Sequence, residues 1–412
     1  MHLRNEYLKV LRERYLEAIT RKEKSRILDE YCANTGQVRK YVIRKIQPGV
    51  DLKPKQRKKR KEIYDGQVRA ALARIWEIFD YPCGQRLKPL FELELDRLRR
   101  LGELKASDEV TEKLKRISSA TIDRKLKHQR GLLHLSRSKA RPKPGSLLKQ
   151  KIPIRLTEWD TSQLGYVEAD MVVHCGSSTL GEYVNTLSTT EISSGWWEGE
   201  AIMGKSQEHS FWALKQIRKR TPFAWRGLDS DNGSEFINQI LYKYCHKERI
   251  EFTRSRPNRK NDNAYIEQKN WTHMRKVLGY LRYDTLEELM IINDLYHHEL
   301  RLYKNFFQPV MKLQSKERIG GRVKRKYDVP RTPYQRLMES EQIPEEAKEE
   351  LQRIYLSLNP AELKREIDAK LEELYKIYEE KRKTQQIDPY KKLVPRLVTS
   401  YMMQQHPVGL PT

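Results

Sequence analysis

The sequence of 412 residues predicts a multidomain protein with all-α amino-terminal modules, an α/β core and a mostly α carboxy-terminal region. Basic helical segments fill the chain up to residue 133, strand-like alternation begins after residue 156, and a capped amphipathic stretch covers 359–383. This length predicts two to four domains. The predicted divisions are helical modules at 1–50 and 62–133, a basic linker at 134–155, the core at 156–285, a further region at 286–358, and a helix and tail at 359–412.

Positive charge is concentrated in the first third of the chain. Residues 1–150 carry 39 Lys and Arg against 19 Asp and Glu, a net charge of +20, whereas the remaining 262 residues have a net charge of +5. Because a merely solubilising charge is more often spread along the chain, this distribution predicts a polyanionic partner. Nucleic acid is favoured over a membrane surface.

Several classes of protein are disfavoured by the composition. No apolar run approaches the roughly 20 residues of a membrane span, and the amino terminus lacks the hydrophobic region of a signal peptide. The four cysteines are scattered without a CxxC pair, which argues against a zinc finger and for a reducing compartment. We therefore expect a soluble cytoplasmic protein with no membrane partner.

The first helical module has the pattern of a helix-turn-helix. An amphipathic helix at 23–31, a turn at Asn34-Thr35-Gly36 and a basic helix at 37–46 follow one another. Four basic side chains are expected to face DNA: Arg39, Lys40, Arg44 and Lys45. The apolar side chains expected to pack inward are Val38, Val42 and either Ile43 or Ile46. The alternative is a plain helical hairpin with a solvated basic face.

The second module is predicted to contain helices near 66–79, 84–101 and 107–130. Its last part begins with serine N-cap candidates and spaces Ile122 and Leu126 four residues apart. Four basic residues beside that apolar seam are expected to contact DNA: Arg124, Lys125, Lys127 and Arg130. Together the two modules predict tandem helix-turn-helix domains, and the 286–358 region is expected to contact DNA as well.

The core combines strands and helices. Strand-like runs are predicted at 165–174, 182–192, 195–203, 223–229 and 250–255, and helices at 207–219, 233–247 and 263–280. Three adjacent strands followed by alternating helices and strands predict a mixed five-stranded sheet covered by helices. Residues 306–326 are expected to be irregular and basic.

Three acidic residues of the core are candidates for metal ligands. Asp170 lies inside an apolar strand, Asp231 follows a predicted strand, and Glu267 lies in the first turns of a predicted helix. Two Mg²⁺ ions held by such carboxylates would serve cutting or joining of a phosphodiester, because they bind both the attacking and the leaving oxygen. A structural role stays open for each: a salt bridge for Asp170, an N-cap or turn for Asp231, and helix-dipole stabilisation for Glu267.

Other residues compete with these candidates. Glu168 shares the face of Asp170 and ranks second as a ligand, His174 lies too far along the strand, and Asp262 is a helix-cap candidate. Asp229 lies two residues before Asp231, but the Asn-Gly turn favours Asp231.

At these residues the chain resembles a known family. Asp170, the run Asp231-Asn232-Gly233-Ser234-Glu235-Phe236 and Glu267, thirty-five residues further, are similar to the motifs of the retroviral-integrase superfamily. More narrowly, they resemble the integrase-core DDE transposases of prokaryotic insertion sequences. The segments at 254–263 and 330–337 also resemble that group.

The resemblance implies a ribonuclease-H-like core with the first Asp on the central strand, the second after the fourth strand and the Glu on a helix. It implies Mg²⁺-dependent 3′-end cleavage and strand transfer, with Asp170, Asp231 and Glu267 holding two Mg²⁺ ions and Mn²⁺ as a possible substitute. We expect double-stranded DNA as the partner, both element ends and target, and a homo-oligomer on the nucleoid of a prokaryote. Further DNA contacts are expected from Arg256, Lys260, Asn270 and Arg275.

Two alternatives remain open. The first is a ribonuclease-H-like nuclease that cuts DNA without strand transfer, and the second is a domesticated, noncatalytic DNA-binding regulator.

Overall fold

The structure, a computed structural model, describes residues 2–52, 62–132, 163–231, 233, 235–236, 238–255, 264–319 and 321–384. The chain divides into two compact units, Met1–Ile63 and Tyr64–Thr412. Among the described residues, no helix combines the length and the apolar character needed to cross a membrane.

The described residues of the first unit, 2–52 and 62–63, contain three helices. Its helices are α1 (His2–Glu17), α2 (Arg21–Thr35) and α3 (Arg39–Ile46). A capping box between Thr20 and Glu23 starts α2, and Gly36 ends it in the left-handed conformation with φ of 67°. Val42 and Ile46 of α3 are fully buried, as predicted. The prediction for Val38 was wrong: it precedes α3 as the N-cap residue and is 73% exposed.

The second unit begins with four helices. They are α4 (Gly66–Ile78), α5 (Gly84–Arg100), α6 (Asp108–Arg116) and α7 (Ser119–Leu132). The helix predicted at 107–130 is therefore two helices, with extended backbone at Ile117 between them. Ile122 and Leu126 are buried, as their spacing predicts. This block belongs to the same compact unit as the sheet, and the Tyr303 hydroxyl donates a 2.5 Å hydrogen bond to the carbonyl of Ile78.

A mixed five-stranded sheet forms the centre of the second unit, as predicted. Its strands are β1 (Tyr166–Val173), β2 (Val184–Glu191), β3 (Trp197–Met203), β4 (Gly227–Ser230) and β5 (Glu251–Arg254). The order across the sheet is β3-β2-β1-β4-β5, so β1 is the central strand. The β1–β2 and β2–β3 pairs are antiparallel, whereas β1–β4 and β4–β5 are parallel. The strand predicted at 223–229 starts later and ends one residue later, because residues 227–230 pair with the sheet.

Helices surround the sheet. They are α8 (Gln207–Arg220), α9 (Gln239–Lys247), α10 (Ala264–Lys269), α11 (Lys276–Leu278), α12 (Leu286–His297) and α13 (Glu299–Phe307). The predicted helix at 233–247 starts late, because the Asn238 side chain accepts a hydrogen bond from the Leu241 N–H and caps α9 there. The predicted helix at 263–280 is also interrupted: Asn270–Arg275 form a π-helical segment between α10 and α11.

The carboxy-terminal region is mostly helical, as predicted, with one exception. Its helices are α14 (Pro333–Glu339), α15 (Glu345–Ser357) and α16 (Pro360–Thr384), and α16 packs on α12 and α13. The expectation of irregular structure at 306–326 was wrong. An antiparallel hairpin of β6 (Leu313–Ile319) and β7 (Arg322–Tyr327) occupies most of that segment.

Candidate active site

Asp170 lies on the central strand, and two hydrogen bonds hold its carboxylate. The backbone N–H of Met171 donates to Oδ1 at 2.8 Å, and the side-chain amide of Asn270 donates to Oδ2 at 2.6 Å. Burial, reinforced by the negative charges of Asp231 and Glu267, raises the pKa of Asp170 to about 7. The fold therefore brings these other two carboxylates within electrostatic range of Asp170.

Asp231 stands at the carboxyl end of β4, next to Asp170. The parallel register pairs Ala169 with Ser230, so Asp170 and Asp231 are the next residues on two adjacent strands. The backbone N–H of Gly233 donates to Oδ1 of Asp231 at 2.9 Å, which makes a tight turn. Burial raises the pKa of Asp231 despite that hydrogen bond. Because Asn238 caps the next helix, Asp231 does not serve as its N-cap.

Gly233 leaves room for the turn that follows Asp231. A Cβ atom at this position would lie 2.6 Å from Cδ of Glu235 and 2.9 Å from Oδ1 of Asp231. Any larger residue would have to displace one of these two acidic side chains. The glycine therefore keeps the Asp231 carboxylate close to the backbone.

Glu267 is exposed in the first turn of α10, a helix that packs on β1 and β2. The backbone N–H of Ile266, one residue earlier, donates to Oε2 of Glu168 at 3.0 Å. Glu168 is only 1% exposed and thus anchors the start of α10 to β1. Glu168, the second-ranked ligand candidate, therefore stabilises the position of the helix that carries Glu267.

The other competitors lie inside the sheet or outside the described residues. Asp229 is fully buried and accepts a 2.5 Å hydrogen bond from the Thr253 hydroxyl. His174 is also fully buried, with Nε2 2.9 Å from the Thr186 hydroxyl, and burial lowers its pKa to about 3. It is therefore neutral at physiological pH. Asp262 lies outside the described residues.

The donor chemistry of the three candidate residues fits a hard divalent cation. Carboxylate oxygens are the protein ligands that Mg²⁺ prefers, and the pKa of Asp170 is raised by burial and, to a smaller extent, by the negative charges of Asp231 and Glu267. Within the described ranges, however, no three His, Cys, Asp or Glu side chains are placed as a metal ligand set. The backbone brings the carboxylates near one another, and the side chains as they stand do not close around an ion.

Asn270 was predicted as a DNA contact, but its amide binds the Asp170 carboxylate. It is also the first residue of the π-helical segment, whose wider turn shifts every later side chain. Residues three and four positions apart on a regular helix share a face, but Trp271, Met274 and Arg275 do not continue one face from Glu267 through this segment. Trp271 is 41% exposed and Met274 is fully buried. Arg275 lies over the ring of Tyr280 at 4.9 Å.

The basic residues predicted on α3 divide into two pairs. Lys40 and Arg44 are exposed. Arg39 is engaged within the unit, by an ion pair with Asp29 and a 2.6 Å hydrogen bond to Ser25. Lys45 donates to Asn5 at 2.8 Å.

The basic residues predicted on α7 divide in the same way. Arg124 and Lys127 are exposed. Lys125 donates to the carbonyl of Tyr64 at 2.8 Å, and Arg130 forms a 2.7 Å ion pair with Asp123. Arg256 and Lys260 lie outside the described residues.

Comparison with known proteins identifies a relative that aligns with most of the chain. No protein-family model matches the chain. The chain is 38% identical over 337 residues to "Uncharacterized protein y4rM" of Sinorhizobium fredii, an alignment that covers 82% of this chain and 95% of the relative.

Solved structures also give matches. The catalytic core of HTLV-2 integrase in complex with magnesium is 13% identical with a TM-score of 0.27, covering 36% of this chain and 90% of that one. The catalytic core of BIV integrase is 15% identical with a TM-score of 0.27, covering 41% and 91%. A simian T-cell lymphotropic virus intasome is 13% identical with a TM-score of 0.29, covering 52% and 69%. Scores this low carry no argument about this chain.

Proposed function

Because the chain belongs to the same family as the Sinorhizobium fredii protein y4rM, whose name states no activity, we propose its function from its own residues. The protein is a DNA transposase. It binds the ends of a mobile element and catalyses Mg²⁺-dependent 3′-end cleavage and strand transfer into target DNA, as a DDE-type polynucleotidyl transferase.

One observation carries this proposal: the parallel pairing of β1 with β4 sets Asp170 and Asp231 at the same level of adjacent strands. The helix bearing Glu267 packs on β1 and β2. Three acidic residues from three separate elements therefore approach one end of the sheet. The carboxyl ends of parallel strands are where ligands bind in α/β sheets.

Each residue of the site has a distinct role in this proposal. Asp170, Asp231 and Glu267 would hold the divalent ions, Mg²⁺ or its substitute Mn²⁺. When bound, a pair of such ions activates the attacking oxygen and stabilises the leaving oxygen of a phosphodiester. Asn270 orients the Asp170 carboxylate, and Glu168 fixes the first turn of α10.

Exposed basic residues supply the proposed DNA contacts. Lys40 and Arg44 on α3, and Arg124 and Lys127 on α7, are free to reach phosphates. We propose that the protein acts as a homo-oligomer on element ends and target DNA, on the nucleoid in the cytoplasm. Multi-angle light scattering with and without DNA would test the oligomeric state.

The β6–β7 hairpin is a further DNA-contacting element in this proposal. Its cationic side chains are exposed on both strands: Lys316, Arg318, Lys324, Arg325 and Lys326. Asp328 fixes its base by accepting from the Lys312 N–H at 2.6 Å and pairing with Arg336 at 2.7 Å. A two-stranded antiparallel ribbon fits the major groove of DNA.

Replacing Lys324, Arg325 and Lys326 with Gln should weaken duplex binding and reduce its salt dependence by about one unit of log–log slope per lost phosphate contact. The matched control replaces three exposed lysines elsewhere, Lys243, Lys247 and Lys376. Fluorescence anisotropy at several salt concentrations measures both quantities. Equal slopes for the two triple variants would exclude the hairpin as a specific DNA contact.

The catalytic proposal is tested with Asp231→Asn and duplexes taken from the DNA flanking the coding sequence. One duplex is uncut, and the other is pre-cleaved with a free 3′-hydroxyl. Asp231→Asn should abolish cleavage and joining and leave end binding intact, whereas Glu251→Gln, at an exposed carboxylate on β5, should retain all three.

The remaining outcomes separate the alternatives. Wild-type protein that cuts the first duplex but never joins the second is a nuclease without strand transfer. Wild-type protein that binds both duplexes and processes neither, with Mg²⁺ or Mn²⁺, is a noncatalytic regulator.

A further inference from the structure

A cationic cavity lies behind the helix that carries Glu267. It has a volume of about 280 Å³ and is lined on one side by Gln268, Lys269, Thr272 and His273, which continue the chain from Glu267. Other lining residues come from the turn that joins α4 to α5, including Asp80, and from the first turn of α5, including Arg86.

The charges around this cavity do not balance. Asp80 is the one carboxylate in the part of the lining that the structure describes, and it is paired with Lys276 at 2.6 Å and with Lys304 at 3.7 Å. Lys269 and Arg86 are then left without a negative partner among the described residues.

Two buried polar groups in the lining also lack partners among the described residues. Lys269 is only 4% exposed, and no described residue accepts a hydrogen bond from it. His273 is 5% exposed, and its Nε2 atom has no hydrogen-bond partner in the described part of the chain. The Thr272 hydroxyl donates to the carbonyl of Gln268 at 3.0 Å, so Nδ1 of His273, 2.7 Å from that hydroxyl, carries the ring proton and donates to it. Nε2 is then an acceptor and does not serve as a donor to an anion.

We propose that this cavity binds a phosphate group, with Lys269 and Arg86 as its donors. A phosphate oxyanion accepts several charge-assisted hydrogen bonds and would offset the excess of positive charge. The volume suits a phosphate with a small attached group and excludes a duplex. The phosphate therefore comes either from a free small molecule or from a single backbone position of DNA that reaches the mouth of the cavity.

The site is distinct from the carboxylate site but shares an element with it. Lys269 lies between Glu267 and Asn270, the residue that binds Asp170. A phosphate in the cavity would therefore steady the junction between α10 and the π-helical segment. Its binding does not depend on catalysis and is measurable without DNA or divalent ions.

The first test titrates inorganic phosphate into the full-length protein by isothermal calorimetry. Wild type should bind, and Lys269→Met should lose affinity by about tenfold or more, as expected for a lost charge-assisted hydrogen bond. Lys243→Met, at an exposed lysine of α9, is the matched control and should bind like wild type. Arg86→Gln should also weaken binding and is less prone to disturb folding, because Arg86 is only half-buried.

The second test distinguishes the source of the phosphate. Adenosine monophosphate and a short duplex are titrated separately into wild type and Lys269→Met. Loss of only the small-molecule affinity indicates a free phosphate ligand, and loss of only the duplex affinity indicates a DNA backbone phosphate. If no probe binds wild type, or every probe binds Lys269→Met and Arg86→Gln as well as wild type, the proposal is overturned. Asp231→Asn should bind phosphate like wild type. The phosphate-binding proposal and the catalytic proposal can therefore fail independently of each other.

Discussion

Two clusters of acidic residues, one on β3 and one around β1 and β4, differ in whether cationic side chains neutralise them. The ion-paired cluster consists of Glu198 and Glu200 on β3, both buried, with cationic partners on neighbouring helices. Arg220 pairs with Glu200 at 2.8 Å, and Arg301 pairs with Glu198 at 3.0 Å. His297 lies 2.8 Å from Glu200. Every carboxylate in this cluster has a fixed partner within the chain.

In the carboxylate cluster, which consists of Asp170, Asp231 and Glu267, the two aspartates are not neutralised in that way. The hydrogen bonds to Asp170 come from a backbone N–H and the neutral amide of Asn270. Among the described residues, none forms an ion pair with Asp170 or Asp231. Burying like charges without cations costs stability, so this arrangement is expected where a ligand supplies the positive charge. On the proposed function, the contrast is between an acidic pair that stabilises the fold and an acidic cluster that binds cations.

The largest expected effect is on activity, from Asp170→Asn. Because the cluster holds negative charges against one another, neutralising one should leave the free energy of unfolding unchanged or higher. Cleavage and joining should fall by more than about a hundredfold, the scale of losing a key electrostatic group in an active site. Urea unfolding and the duplex assays measure the two quantities on one preparation. A variant that is inactive because it is less stable would contradict the functional assignment.

Substitution in the ion-paired cluster should have the opposite result, with stability lowered and activity retained. Glu200→Gln leaves the partly buried Arg220 without one of its anions and should lower the free energy of unfolding by about 3 kcal/mol. Activity per folded molecule should stay near that of wild type, because Glu200 lies on β3, separated from β1 by β2. Loss of activity without loss of stability would remove the distinction between the two clusters.

The residues of the carboxylate cluster and the sheet that carries two of them have recognisable patterns in the sequence. An Asp inside an apolar strand, an Asp after a strand and a Glu at a helix start were visible as local patterns, and the mixed sheet followed from the order of strands and helices. The ion-paired cluster could not be foreseen in the same way. Its arginines lie about 20 and 100 residues along the chain from the glutamates, and only tertiary packing brings them together.

Other differences between the predicted and the observed structure also have physical causes. The π-helical segment shifts the residues after Asn270 off the 3.6-residue period, so a helical face drawn from Glu267 fails there. The β6–β7 hairpin lacks the alternation of a half-buried strand because both of its strands are exposed. Val38 is apolar but stands at the N-cap position of α3, where the chain is still extended and its side chain points away from the core.

The smallest expected effect is a difference in the pH dependence of stability in the cation-free protein. The pKa of Asp170 is about 7 in the folded state, above its ordinary value of 3.8. Between these values the folded protein keeps a proton that the unfolded chain has lost. The contribution to stability is therefore full below the lower pKa and is lost as pH rises through about 7, by at most about 1.4 kcal/mol per pH unit.

Urea unfolding across about pH 4 to 7.5 measures this slope. Asp170→Asn should show a smaller slope than wild type, with the remainder coming from groups such as Asp231 whose pKa burial also raises, and Glu251→Gln should retain the wild-type slope. Millimolar Mg²⁺ should also suppress it, because a divalent cation favours the ionised carboxylate and brings the folded pKa down. A slope that persists unchanged with Mg²⁺ would mean that Asp170 meets no cation, and the carboxylate cluster would then be a destabilised part of the fold with no catalytic use.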